Sequence, residues 1–548
     1  MTVDYSALEE TERIFSTLIN SNLIPEELKS KAKQIKFYNE RKNLSVPCPL
    51  KQTEMISALK ALEATVALAI SEERYGKTED QCKIDLQHAL LFLFSTYCSS
   101  VNGFFKGDKY EVLKYLKQTD LNQAQSDPYR RMSANLYRTK EGNRYYHIHG
   151  SLEASTTLNM IGLPAFIPGF TDYEAIVKKY QDVLDEYTCD ELEALNTKNN
   201  QAGVEAFKPE EFLQTPHGKT ISNTPEYEVD TLETTTPPVP FVPSSNKKLL
   251  EGIKVLELCR IIAGPTIGKI LAEYGATVIK VTSDETLPDV PFFQVDGNMG
   301  KHTTNLNLKN AEDRIKFEAL LADADIVIDG YRAGAIEKLG YGPKKLAELG
   351  IARGKGYIYG SENCFGLTGE WSHRAGWQQI ADCASGVAWI QGQSLGKDEP
   401  MVPPFPMSDY GTGCMVAIAI LVAIYKRNKY GGSYWAKSSL VQYDLLLMNQ
   451  GQYPKEIWES QVINNPIFAD FLKLNYYDSV DRISNTALRA LLVQQPDILK
   501  NDHYFTSMES EGFKGTIRVL RPVCEFDNLE LGYRCVSRPN GSDSPEWW

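Results

Sequence analysis

Between residues 249 and 392 the apolar positions gather into short runs, each followed by a stretch with helical spacing. The opening of this region, LLEGIKVLELCRIIAGPTIGKILAEYGATVIKV, predicts a strand over 253–258, a tight turn at Ala263, Gly264 and Pro265, a helix through 267–272 and a second strand over 277–281. Strands this apolar and β-branched suit a parallel sheet covered on both faces. ADADIVIDG (322–330) predicts another strand, 344–348 a helical turn, and 356–359 a strand that runs into the glycine-rich loop FGLTGEW. Repeated strand–helix alternation predicts a doubly wound α/β domain.

A second pattern is internal. The stretches 46–97 and 402–453 resemble each other; Pro49 pairs with Pro404, Tyr75-Gly76 with Tyr430-Gly431, and Leu90-Leu91 with Leu445-Leu446, all at one offset of 355 residues with no gap between these pairs. Each copy reads as an apolar helix, a polar turn with glycine, a short strand and a second helix. Shared Ala/Leu composition alone would make two helices look alike, so a repeat and a coincidence of composition both stand at this stage. Residues 231–248 hold four prolines among hydroxyl residues with no helical periodicity, which predicts an extended linker.

Composition narrows the class. At 548 residues the chain exceeds one ordinary core, and 42% hydrophobic with 24% charged residues is a globular balance, so at least two domains are expected. A net charge of −13 argues against nucleic acid and against an anionic membrane surface as partners, and any anion site must be local. Ten cysteines occur without a CxxC pair, several inside apolar runs (Cys82, Cys98, Cys259, Cys414), which reads as reduced thiols rather than a disulfide framework. The opening MTVDYSALEETERIF has neither an apolar core nor an Arg-rich amphipathic pattern, no apolar run reads as membrane-spanning, and the ending SPEWW is not a peroxisomal signal. A cytoplasmic protein is the expectation.

The turn after 258 could offer backbone N–H groups to a phosphate at a helix start, or could be only a turn. No G-x-G-x-x-G is present, and GPTIGKI lacks the spacing and the Ser/Thr of a P-loop. His147 and His149 alternate beside Tyr145 and Tyr146 without a nearby carboxylate or cysteine, which reads as packing or surface rather than metal binding. No metal is expected.

Several segments in one order carry more information than any single motif. L-x-G-x-x-V-L-E-L-x-R-x-x-A-G-P, EYGATVIKV, NMGKHTTNLNLKN (298–310), ADIVIDGYRAGAIEKLGYGPKKL, CFGLTGEW and AGWQQIADCASGVAWIQG together resemble the family III CoA-transferases, the CaiB/BaiF family, from about 249 to 453. SDPYRRMSANLYRTKEGNRYYHIHGSLEASTTLNMIGLP resembles the same family's small domain. The resemblance implies a Rossmann-like large domain plus a small α+β domain. It divides the chain into an N-terminal half (1–230, with the partial large-domain repeat 46–97 and a small domain at 129–221), the linker (231–248) and a CoA-binding half (249–548). The family's interlocked dimers imply a homodimer, or a pseudo-dimer within one chain.

The resemblance also implies chemistry: coenzyme A as substrate, an acyl-CoA donor, a carboxylic acid acceptor, and an aspartate that attacks the thioester to form an acyl–aspartyl anhydride. Its CoA-binding positions fall on Arg260, Ile261, Ala263, Gly264, Lys301, His302, Tyr331 and Lys338. IQGQSLGKDEPMVPPF resembles the carnitine enzyme's segment and puts Asp398 at the catalytic place, although Lys397-Asp398-Glu399 also reads as a plain polar loop. Asp409, in PMSDYGTG, reads as a helix-start carboxylate accepting backbone N–H groups. Where the racemase branch carries G-H-D, this chain reads Gly376-Trp377-Gln378-Gln379, and an amide cannot take an α-proton, so racemisation is disfavoured. Ser283 stands where formyl-CoA transferase has an arginine, and that enzyme's glycine-rich covering loop has no counterpart here. A degenerate acyl-CoA-binding or structural subunit is therefore the alternative to a transferase.

Overall fold

The computed structural model describes every residue except 1–4, 39–42, 77–79, 243, 245 and 246. Part of the expected repeat (77–79) and part of the expected linker (243, 245 and 246) lie outside the described residues.

The apolar runs become a seven-stranded sheet. In spatial order its strands are Lys301–Asn305, Thr277–Thr282, Lys254–Leu258, Ile326–Asp329, Ile358–Asn363, Ser433–Ser439 and Glu228–Glu233. The first six are mutually parallel and the last is antiparallel. Connection order reverses between Lys254–Leu258 and Ile326–Asp329, which makes their carboxyl ends the switch point where a doubly wound sheet opens a crevice. The fold is doubly wound and Rossmann-like.

Two local expectations change. The tight turn expected at Ala263, Gly264 and Pro265 is instead the first turn of the Ala263–Glu273 helix. Proline fits there because a first helical turn has no use for its missing N–H. The chain reverses just before, and Ile262 carries the strain with φ of 49°. The linker expected over 231–248 begins as sheet: Glu228–Glu233 pairs with Ser433–Ser439. That strand's outer edge would otherwise be an open row of N–H and C=O groups, and the returning chain closes it.

Two helices of 24 residues, Gln52–Tyr75 and Met407–Tyr430, pack against each other in the core. Each stops at a glycine with positive φ, Gly76 at 83° and Gly431 at 73°. Met407–Tyr430 is long and apolar enough to cross a membrane, contrary to the expectation of no such run. Yet 94% of its apolar window is buried within the protein, because it lies between the sheet and Gln52–Tyr75.

Other pairings interlace distant parts of the chain. Cys82–Asp85 runs parallel to Ile35–Tyr38 and antiparallel to Glu525–Phe526. Ser100–Val101 extends the hairpin of Phe505–Ser510 and Gly515–Leu520. A further antiparallel sheet, Ala134–Arg138, Tyr145–His149 and Ala202–Glu205, has its own core around Tyr129, Tyr137, Tyr146 and Tyr180. All ten cysteines are free thiols.

Candidate active site

At the switch point the carboxyl ends of Lys254–Leu258, Ile326–Asp329 and Ile358–Asn363 open into a crevice of about 150 Å³. It adjoins a smaller compartment of about 70 Å³ that reaches toward the small sheet. Ser151, Ile261, Trp377 and Asp409 line both spaces, so Asp409 sits where they meet.

Asp409 is the third residue of Met407–Tyr430 and its side chain is part-buried. Desolvation alone raises its pKa to about 8. It does not cap the helix as its position in the sequence suggested; it faces the cavities with its charge unbalanced. Two more acids stand nearby. Burial lifts the Glu362 carboxyl well above the usual range; the charges of Asp409 and Asp329 add to this, and the Gly264 N–H opposes it. Burial raises Asp329 to about 6, although it accepts from the Tyr331 N–H at 2.9 Å and the Tyr359 O–H at 2.7 Å.

Of the residues expected to hold CoA, Arg260, Ile261, Ala263 and Tyr331 line the larger crevice. Arg260 donates from Nε to the Pro288 carbonyl at 3.1 Å. Gly264 lies just behind. A Cβ there would meet Cys259 Sγ at 2.5 Å and Glu362 Oε1 at 3.3 Å, so the glycine is required by the approach of strand end to helix start.

Lys301, His302, Lys338 and Asp398 line neither cavity. Lys301 is fully buried under the helix start, paired with Glu257 at 2.6 Å and donating to the Pro265 carbonyl at 2.7 Å. His302, on the outer strand, stacks on Trp548 with ring centroids 4.1 Å apart. Lys338 is exposed on the short helix Ala335–Lys338. Asp398 is exposed on the turn after Val387–Ser394, where the chain swings out to solvent before Pro400 returns it to the core.

Sequence reasoning missed Glu362, Arg374, Lys106 and Arg131. Arg374 lines the crevice, held by Glu193 at 2.8 Å and by the Gly203 carbonyl at 2.6 Å. Lys106 and Arg131 line the smaller compartment. A charged residue inside an apolar run was the available signal for Glu362; none existed for the others, which come from distant segments. His147 and His149 are buried packing residues. His149 stacks on Trp377 at 5.2 Å and 6°, accepts from the Ser151 N–H at 3.0 Å, and is kept neutral by burial. The Trp377 indole N–H in turn donates to Ser151 Oγ at 2.9 Å.

The family model described as CoA-transferase family III matches residues 250–478. The chain is 33% identical to an acetyl-coenzyme A transferase, nodX, of Hypoxylon pulicicidum, over 99% of this chain and 94% of that one. It is 30% identical to an acyl-CoA transferase of Gibberella moniliformis, over 90% and 87% of the two chains. A succinyl-CoA:mesaconate CoA-transferase of Haloarcula marismortui is 32% identical over 35% of this chain and 51% of that one. With relatives this similar along nearly its whole length, the chain belongs to CoA-transferase family III.

Proposed function

We propose that the crevice moves CoA from an acyl-CoA donor to a carboxylic acid, with Asp409 rather than Asp398 as the nucleophile. The observation that carries this is that Asp409 is the carboxylate lining both cavities, one adjoining the strand ends and the other reaching toward the small sheet. An Asp409 oxygen attacks the thioester carbonyl; the C–S bond breaks, CoA leaves as the thiolate, and an acyl–aspartyl anhydride remains. The thiolate attacks the aspartyl carbonyl and releases the donor acid as a carboxylate, leaving an aspartyl–CoA thioester. The acceptor carboxylate displaces the thiolate from that carbonyl, and the thiolate then attacks the acceptor's acyl carbonyl, giving the new acyl-CoA and free Asp409.

A carboxylate suffices because the thiolate is a good leaving group, and the part-buried position keeps water from the anhydride. The positive end of the Met407–Tyr430 helix favours the ionised form that attacks. Arg260 and Arg374 supply cations for CoA phosphates at the crevice. The relatives' names, acetyl-, acyl- and succinyl-CoA transferases, support the substrate class. The test is hydroxylamine trapping: acyl-CoA should yield a hydroxamate at Asp409, and Asp409→Asn should remove it. A hydroxamate at Asp398 overturns the assignment, and none with any acyl-CoA favours the binding-only alternative.

We also infer that the chain contains a repeat and works as a pseudo-dimer. The matched segments 46–97 and 402–453 carry the two 24-residue helices with their glycine stops. Their contacts are reciprocal, as at a two-fold interface. Leu50 corresponds to Phe405, and Tyr97 to Gln452; Leu50 bridges Gln452, while Tyr97 packs edge-on against Phe405 at 5.3 Å. The counterpart of Asp409 is Glu54, buried and accepting from Tyr5 at 2.9 Å and Tyr453 at 2.8 Å.

A further inference from the structure

Glu362 takes no part in the transfer steps, yet it lines the same crevice as Asp409. Its Oε1 fills a niche between the start of the Ala263–Glu273 helix and the end of Ile326–Asp329: a Cβ on Gly264 would come within 3.3 Å of it, and one on Gly330 within 2.7 Å. Two glycines thus make room for one carboxyl group. Burial favours its neutral form, and so do the negative charges of Asp409, on the Met407–Tyr430 helix, and Asp329, on the neighbouring strand end; the Gly264 N–H works against them. Cys259, beside the same two glycines, and Tyr331 are kept neutral by burial. Arg260, Arg332 and Arg374 also line the crevice, but they are held by the Pro288 carbonyl, the Asn200 carbonyl and Glu193 respectively. Among the described residues no Lys or Arg pairs with Glu362.

We propose that Glu362 acts as a neutral carboxylic acid whose O–H donates a hydrogen bond to the thioester carbonyl oxygen as Asp409 attacks the carbon. This rests on the reading of Asp409 as the nucleophile. When an Asp409 oxygen bonds to the thioester carbon, the carbonyl oxygen becomes an alkoxide, and negative charge grows there. A second carboxylate in the crevice would repel that charge, whereas a carboxyl hydroxyl meets it with a donor already in place. When the C–S bond breaks and the carbonyl re-forms, the hydrogen bond weakens again. The proton is on Glu362 before and after, so the step needs no outside acid or base. Nucleophile and donor support each other, because the negative charge with which Asp409 attacks also holds the proton on Glu362.

Timed hydroxylamine trapping with acetyl-, butyryl- and succinyl-CoA, read as hydroxamate at Asp409 by peptide mass spectrometry, tests this. Glu362→Leu removes the donor and should slow labelling by about 100-fold or more, while CoA affinity measured by calorimetry holds. Glu362→Gln keeps an N–H donor in nearly the same shape and should recover most of that loss. The pH profile separates donation from packing. In the unsubstituted protein the labelling rate should rise as Asp409 ionises and fall again at higher pH as Glu362 loses its proton; in Glu362→Gln it should rise and then stay level. Labelling of Glu362→Leu at the unsubstituted rate, loss of CoA affinity in that variant, or the same falling limb in Glu362→Gln would each overturn the proposal. No hydroxamate at Asp409 in the unsubstituted protein with any of the three donors would instead overturn Asp409 as the nucleophile, and the role of Glu362 with it.

Discussion

Lys301 Nζ lies 2.6 Å from Glu257 Oε2, and neither side chain has any exposed surface. The pair ties the outer strand to the central one beneath the helix start, and Lys301 also holds the Pro265 carbonyl at 2.7 Å. Its position in the NMGKHTT segment suggested a phosphate ligand; its burial makes it a strut under the crevice. Lys301→Met should destabilise the protein by about 3–5 kcal/mol, because the buried Glu257 would lose its direct ion-pair partner and keep only the more distant charge of Lys280. Replacing both residues with apolar ones should recover much of that loss. Denaturant unfolding checks both, and a Lys301→Met protein of unchanged stability that no longer binds CoA would return Lys301 to the ligand site.

Asp409 links activity to stability through its proton. Its folded pKa of about 8 lies above the unfolded value of about 3.9. The folded state therefore holds a proton that the unfolded state has lost between about pH 4 and pH 8, and stability falls as pH rises through that window. Asp409→Asn should remove this slope and, near pH 8, gain on the order of 1–3 kcal/mol while eliminating the adduct. In the unsubstituted protein the rate of adduct formation should climb as pH approaches and passes 8. Thermal melts across pH 5–8.5 and timed hydroxylamine trapping supply the two curves, and parallel melts for the two proteins would contradict the assignment.

Asp398 gives the opposite expectation. It is exposed on a surface turn and lines neither cavity. Asp398→Asn should leave stability within about 0.5 kcal/mol and hydroxamate yield unchanged. A yield that collapses in this variant would return Asp398 to the catalytic place and overturn the assignment to Asp409.

The parallel sheet was legible because its strands are almost wholly apolar and the helices between them keep their own period. The crevice was legible only where it follows a strand end, at Arg260, Ile261, Ala263 and Tyr331. Lys301 misled because a lysine in a short polar segment looks exposed; only the pleat shows that it points under the Ala263–Glu273 helix. Asp409 looked like an ordinary helix-start acid, and nothing local revealed that its carboxylate is part-buried with no hydrogen-bond donor among the described residues. Lys106 and Arg131 lie hundreds of residues from Asp481 and meet it only because the N-terminal segments fold back over the sheet.

The last prediction concerns the number of reactive sites. If 46–97 repeats 402–453, each chain contains two equivalent carboxylate positions, Asp409 and Glu54. Asp409 opens on both cavities, whereas Glu54 is 1% exposed and takes hydroxyl hydrogen bonds from Tyr5 and Tyr453 on its two oxygens. Trapping with excess acyl-CoA and hydroxylamine should therefore add one label per chain by intact-mass measurement, whether the protein is monomeric or associates. Glu54→Gln should leave that count at one, since the position keeps its shape and has no access to substrate. Glu54→Ala should lower stability by about 2–4 kcal/mol, because the buried Tyr453 hydroxyl and the half-buried Tyr5 hydroxyl lose their acceptor. A second label, or any label on Glu54, would show that both halves of the repeat remain open to substrate.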